Sequence, residues 1–111
     1  MSFNELSKFS KEYKRYLKKY KTLDSDFSNF KKIILSSACG IGKHFNIIAI
    51  SGDVKIIKAR LFCRCLRGSS LRIIYGFHCQ SCNVDFIELY FKGDEANEDG
   101  DRIKEYLKNF Y

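Results

Sequence analysis

Between Lys55 and Lys92 the chain carries the side chains from which phosphate chemistry is built. Lys58, Arg60, Arg64 and Arg72 suit the neutralising and orienting of phosphate oxygens, and Lys92 offers the same as a point charge. His78 and Glu88 are candidates to take a proton from a hydroxyl nucleophile. Tyr90 and Lys92 are candidates to protonate or stabilise a leaving oxygen. Threaded through the same stretch are a C-x-C pair, Cys63 and Cys65, and a C-x-x-C pair, Cys79 and Cys82, which invite a metal-knuckle reading. Which chemistry prevails depends on the faces these side chains occupy.

Hydrophobic periodicity supplies the elements. Residues 7–21 place Phe9, Tyr13, Tyr16, Leu17 and Tyr20 at helical spacing, with Lys8, Lys11, Lys14, Arg15, Lys18 and Lys19 around the rest of the barrel. A second helix is expected over residues 22–35, with Thr22 as its N-cap, Asp24 and Asp26 near its positive end, and Leu23, Phe27, Phe30 and Ile34 as its apolar stripe. From Phe45 the period becomes two. Residues 45–51, 54–66, 71–79 and 84–92 read as four strands with short connections, hence an antiparallel meander. An acidic cluster then leads into a C-terminal helix carrying Ile103, Tyr106, Leu107 and Phe110 on one face. The expected fold is α+β: an N-terminal helical hairpin packed on a four-stranded, mainly antiparallel sheet, with a C-terminal helix, as a single domain spanning residues 1–111.

Residue parity assigns faces along a strand. In residues 57–65 the odd positions Ile57, Ala59, Leu61, Cys63 and Cys65 are apolar, while Lys58, Arg60, Phe62 and Arg64 are even; in residues 71–78 the odd set is Leu71, Ile73, Tyr75 and Phe77. A three-residue loop, Gly68-Ser69-Ser70, keeps odd facing odd and places Arg67 opposite Leu71; a one-residue slip would bury Arg72 unpaired. In the last strand Ile87, Leu89 and Phe91 are expected on the core side, leaving Val84, Phe86, Glu88, Tyr90 and Lys92 on the other. The other face then gathers Lys58, Arg60, Arg64, Arg72, His78, Glu88, Tyr90 and Lys92. A half-exposed sheet ordinarily carries polar residues outside, but the excess of one charge sign favours a phosphate-binding surface. The same register sets Cys63 opposite Tyr75 and Cys79 opposite Ala59, leaving the two cysteine pairs about 13 Å apart. No metal is expected there: Cys63 and Cys65 fill the core and Cys79 and Cys82 a turn.

The net charge of +7 over 111 residues favours anionic partners, and it is unevenly placed: +5 over residues 1–23, +6 over 36–78 and −4 over 79–111. No apolar run approaches a membrane span and the first residues show no leader pattern, so an untargeted cytoplasmic protein without a membrane partner is expected. Five cysteines, an odd number, suggest reduced thiols. The GIGKH stretch, residues 40–44, lacks the phosphate-loop spacing, and a lone loop histidine such as His44 is more often neither ligand nor base.

A basic helical hairpin, then KARLFCRCLRGSSLRIIYGFH, then DFIELYFKGD and a terminal helix resembles the RelE/ParE superfamily of bacterial toxins from type II toxin-antitoxin pairs. The resemblance is most specific in LRGSSLRIIY and IELYFKGD; elsewhere it rests on element order. It implies an mRNA endoribonuclease, an interferase that acts on the ribosome to inhibit translation without metal or other cofactor. The ribose 2′-OH attacks the adjacent phosphate while cations stabilise the added charge. Arg72 matches the phosphate-contacting arginine, and Tyr90 and Lys92 fall near the family's C-terminal catalytic positions; Arg64, Glu88 and His78 complete the expected catalytic set. Lys55, Lys58, Arg60 and Arg67, with Lys8, Lys11, Lys14, Lys18 and Lys19, would attract RNA. The implied partners are the ribosome with its mRNA and a cognate antitoxin protein. Cys63, Cys65 and Gly93 stand where the family carries catalytic cations. Two alternatives stay open: a ParE-like inhibitor of DNA gyrase without catalysis, and a plain basic nucleic-acid-binding domain.

Overall fold

The computed structural model describes residues 2–36, 45–66 and 69–109. Arg67, Gly68, His44 with the GIGKH stretch, and Phe110 lie outside the described residues. The fold is α+β, with three helices and a mixed five-stranded sheet. In chain order the elements are β1 (Ser2–Glu5), α1 (Ser7–Lys19), α2 (Leu23–Ser36), β2 (Phe45–Ser51), β3 (Val54–Phe62), β4 (Ser70–His78), β5 (Asn83–Phe91) and α3 (Gly100–Lys108). The strands lie in the order β1-β5-β4-β3-β2, antiparallel except for β1, which runs parallel to β5.

The four-stranded expectation therefore falls one strand short. SFNE is four residues long and shows no alternation, and its partners in β5 lie some eighty positions away. Nothing local marks it as a strand.

One sheet face packs on α1 and α2. Phe9, Tyr16, Phe27, Phe30 and Ile34 from the helices meet Ile57, Leu61, Leu71, Ile73, Tyr75, Phe86 and Leu89 from the strands, all essentially buried. Burying each such side chain stabilises the fold by about 1.5–3 kcal/mol before chain entropy is counted. The other face is only half covered. There α3 lays Ile103 and Tyr106 over Val54, Ile56, Ile74, Ile87 and Tyr90. Gly76 in β4 makes this approach possible, because a Cβ at that position would stand 2.5 Å from the Tyr106 hydroxyl and 2.8 Å from its ring.

The β3–β4 register differs from the expected one by six residues. Phe62 pairs with Ser70, Leu61 with Leu71 and Arg60 with Arg72, so β3 stops at Phe62 and residues 63–69 form the connection. Six is even, so every side chain within the strands keeps its expected face. What changes is the end of the strand. Cys63, Arg64 and Cys65 leave the sheet through a turn closed by the Leu66 N–H on the Cys63 carbonyl, 2.9 Å. The two cysteine pairs thus stand at opposite ends of the β3–β4 ladder, roughly 26 Å apart by strand rise.

A bulge in β5 corrects the last strand. Ile74 pairs with Glu88 and Tyr75 with Phe86, which leaves Ile87 unopposed. Beyond it the faces exchange: Val84 and Phe86, expected outside, join the α1/α2 core, while Ile87, expected inside, packs under α3. Leu89 and Phe91 keep the expected side.

Candidate nucleic-acid interface

Half of the second sheet face stays open beyond α3. Phe45, Asn46, Lys58, Ala59, Arg60, Arg72 and Lys92 line a groove of about 390 Å³ there. Its floor is set by register. Arg60, Arg72 and Tyr90 form one row across β3, β4 and β5, and Asn46, Lys58, Ile74 and Glu88 form the next. Arg60 and Arg72 are direct cross-strand neighbours, a placement that is unfavourable for like charges. No carboxylate pairs with Arg60, Arg72 or Lys92 among the described residues. Arg72 instead reaches back along its own strand, donating from Nη1 to Ser70 Oγ at 2.7 Å and to the Ser70 carbonyl at 3.3 Å.

Among the described residues Lys58 is the one groove cation with an anionic partner, Nζ to Glu98 Oε2 at 3.0 Å. Burial would lower its pKa, but Glu98 and the neighbouring Tyr90 more than offset that and hold the ammonium on. Burial likewise opposes ionisation of Glu98, yet its own backbone N–H and Lys58 keep the carboxyl below its usual range. The Glu98–Lys58 ion pair was not legible in the sequence. Its members are forty residues apart, and Glu98 sits in an acidic loop read only as the lead into a helix.

The remaining expected residues disperse. Tyr90 sits in the Arg60–Arg72 row but is fully buried, and its hydroxyl makes no hydrogen bond among the described residues. Burial raises its pKa, with Lys58 working against that. Glu88 is 1% exposed, under the start of α3, where Oε1 accepts the Asp99 N–H at 2.8 Å. Burial, with added repulsion from Glu12 and Glu95, pushes its carboxyl up to about 7 against the pull of the Asp99 N–H and Arg102. His78 lies six positions along β4 from Arg72, roughly 20 Å away. Its Nε2 is 2.7 Å from the Tyr106 hydroxyl and 3.2 Å from Asp85 Oδ2. Arg64, expected on the open face, has turned toward α2: Nε donates to Asp26 Oδ1 at 2.9 Å and the backbone N–H to Asp26 Oδ2 at 3.0 Å, with Ser25 as a third partner. The cause is the end of β3 at Phe62, past which parity no longer governs direction.

Lys55 pairs with Phe77 on the α1/α2 side of the sheet, away from the groove. Lys8, Lys11, Lys14, Lys18 and Lys19 are exposed on α1 and none lines the groove; Lys8 instead lines a cavity with Asp85, Arg102 and Tyr106. The structure therefore brings together Lys58, Arg60, Arg72 and Lys92, buries Tyr90 and Glu88 in the same rows, and sets His78 at the far end of β4, while Arg64, paired with Asp26, lines an adjoining cavity with Arg60 and Arg72.

One carboxylate trio was not visible in sequence. Glu12, Glu88 and Glu95 bring oxygens within 4.8 Å of one another. Glu12 is already engaged, accepting from Arg102 Nη1 at 2.8 Å and Nη2 at 3.1 Å, and from the Leu89 N–H at 3.2 Å. Arg102 pairs with Glu12, and the crowding of carboxylates helps to hold the Glu88 pKa up.

No protein-family model, curated protein or solved structure matches the chain. No helix among the described residues is long and apolar enough to cross a membrane.

Proposed function

We propose that the protein binds RNA through the Lys58–Arg60–Arg72–Lys92 groove and acts as a toxin of the RelE/ParE kind, cutting mRNA without a metal. The carrying observation is the Arg60–Arg72 pair: two arginines directly opposite each other on adjacent strands, neither paired with a carboxylate among the described residues. Such a pair is held at a cost that a bound phosphate removes. A phosphodiester seated against it would have Lys58 and Lys92 on either side, the arrangement that stabilises a phosphorane with its extra negative charge. In this reading Glu98, ionised beside Lys58, is the candidate to accept the 2′-OH proton, and Lys58 the candidate to donate one to the leaving oxygen. An antitoxin with an acidic segment would be the natural inhibitor of this groove.

A second reading rests on a different observation. Glu88 and Tyr90 are buried and His78 stands at the far end of β4, so three of the expected proton-transfer groups do not line the groove. That arrangement suits a protein that grips nucleic acid or gyrase without cutting.

Primer extension on a defined mRNA, with purified protein alone and in a translating extract, separates the readings. Breaks that require translation and vanish with Arg72→Ala are expected. An uncut message from protein that arrests growth, together with blocked supercoiling by gyrase, would move the assignment to the second reading.

A further inference from the structure

The turn at the end of β3 brings two cysteines to the N-terminal end of α2. Thr22 Oγ1 lies 3.6 Å from Cys63 Sγ, 3.2 Å from Cys65 Sγ and 2.8 Å from Asp26 Oδ2, so both sulfurs share one hydroxyl. Their environments differ. Cys63 is 3% exposed in the core, whereas Cys65 is open to solvent. The backbone N–H groups of Thr22 and Lys21 belong to the approach to α2, where Cys65 meets the Thr22 hydroxyl. Donors converging at a helix N-terminus stabilise a thiolate. Accordingly the Thr22 hydroxyl and these N–H groups draw the Cys65 thiol below its ordinary pKa, while burial and Asp26 push the Cys63 thiol up. An exposed thiolate beside a buried protonated thiol is the asymmetry of an attacking and a resolving sulfur.

We propose that Cys65 and Cys63 form a peroxide-reactive vicinal thiol pair, with Cys65 the attacking sulfur and Cys63 the resolving one. The Cys65 thiolate attacks one oxygen of a hydroperoxide; the S–O bond forms, the O–O bond breaks, and the departing alkoxide or hydroxide takes a proton from water. Cys63 sulfur then attacks Cys65 sulfur, the S–S bond forms, and hydroxide leaves with the Cys63 proton as water. Two electrons pass from the two thiols to the peroxide. The disulfide would reshape the turn that carries Arg64 between the two cysteines and, with it, the Arg64–Asp26 pair. The inference does not depend on what the groove binds.

Trypsin cuts after Arg64, so fragments 61–64 and 65–67 part company unless a disulfide joins them. The reduced full-length protein would be treated with one equivalent of hydrogen peroxide, capped with iodoacetamide, digested and weighed. The joined fragment is expected before oxidation at Cys79 or Cys82, and brief alkylation should label Cys65 about tenfold faster than Cys82, which is also exposed. In Cys63→Ser, dimedone should trap a sulfenic acid at Cys65. Cys65 that alkylates no faster than Cys82, a Cys63→Ser protein with no trapped sulfenic acid, or a Cys65–Cys65 link between two copies would each overturn the proposal.

Discussion

Glu88 and Asp26 are both buried acids, and their surroundings drive them in opposite directions. Burial also opposes ionisation of Asp26, but the Arg64 N–H and the Arg64 guanidinium outweigh it and hold the carboxyl below its usual range. Its contribution to stability is present above the unfolded pKa near 3.8 and fades as pH falls below that. Glu88 is reversed: its folded pKa of about 7 exceeds the ordinary 4.5, so the native state holds the proton more tightly than the unfolded chain. Stability is therefore lost as pH rises from 4.5 to 7, and no further loss from this group follows above that window. In thermal melts across pH 4 to 8, Glu88→Gln should flatten that slope, raising Tm at pH 8 while leaving it almost unchanged at pH 4. Arg60 offers a second residue-scale test. Because it stands beside Arg72 without a carboxylate, Arg60→Gln should leave stability unchanged or raise it by up to about 1 kcal/mol. RNA affinity, measured by fluorescence anisotropy at fixed salt, should fall by about tenfold or more in the same variant.

Among the elements, β5 carries the most consequence. Its pairing with β1 ends where the Leu6 N–H meets the Phe86 carbonyl, and the edge beyond that point is finished by side chains. Arg102 donates to the Ile87 carbonyl at 3.0 Å, Glu12 accepts the Leu89 N–H, and the Tyr16 hydroxyl accepts the Phe91 N–H at 3.0 Å. An unpaired strand edge is thereby satisfied by α1 and α3. Because Arg102 and Glu12 are largely shielded from water, Arg102→Ala should destabilise by about 3 kcal/mol, read from urea midpoints, through the buried Glu12 charge it leaves behind. The helix α3 depends equally on Gly76. A methyl there collides with the Tyr106 ring and hydroxyl, so Gly76→Ala should cost about 1–3 kcal/mol. Tyr106→Leu added to Gly76→Ala should recover part of that loss.

The whole molecule presents positive charge on two sides. The groove faces away from α1, whose lysines project from the opposite layer. One RNA segment in the groove would reach the α1 lysines only by wrapping the domain. On that geometry, Lys11→Gln/Lys14→Gln/Lys18→Gln should reduce the salt slope of log K by up to about 2 for single-stranded RNA that does wrap, with the positions of any breaks unchanged. An unaltered slope would confine binding to the groove.

Periodicity alone located both N-terminal helices, the four longer strands and the C-terminal helix, because each buries an apolar stripe that the sequence must supply at the period of its backbone. Parity placed Lys58, Arg60, Arg72 and Glu88 on their observed face even with the β3–β4 register wrong by six, since an even slip moves a side chain along a sheet without turning it over. Three things were decided only in three dimensions. A four-residue edge strand is defined by a partner eighty positions away and carries no signal of its own. The Ile87 bulge exchanges the faces of β5 by adding one residue, which alternation cannot register. And the course of α3 over Gly76 decided which half of the charged face stayed open, burying Glu88 and Tyr90 and leaving Arg60 and Arg72 uncovered.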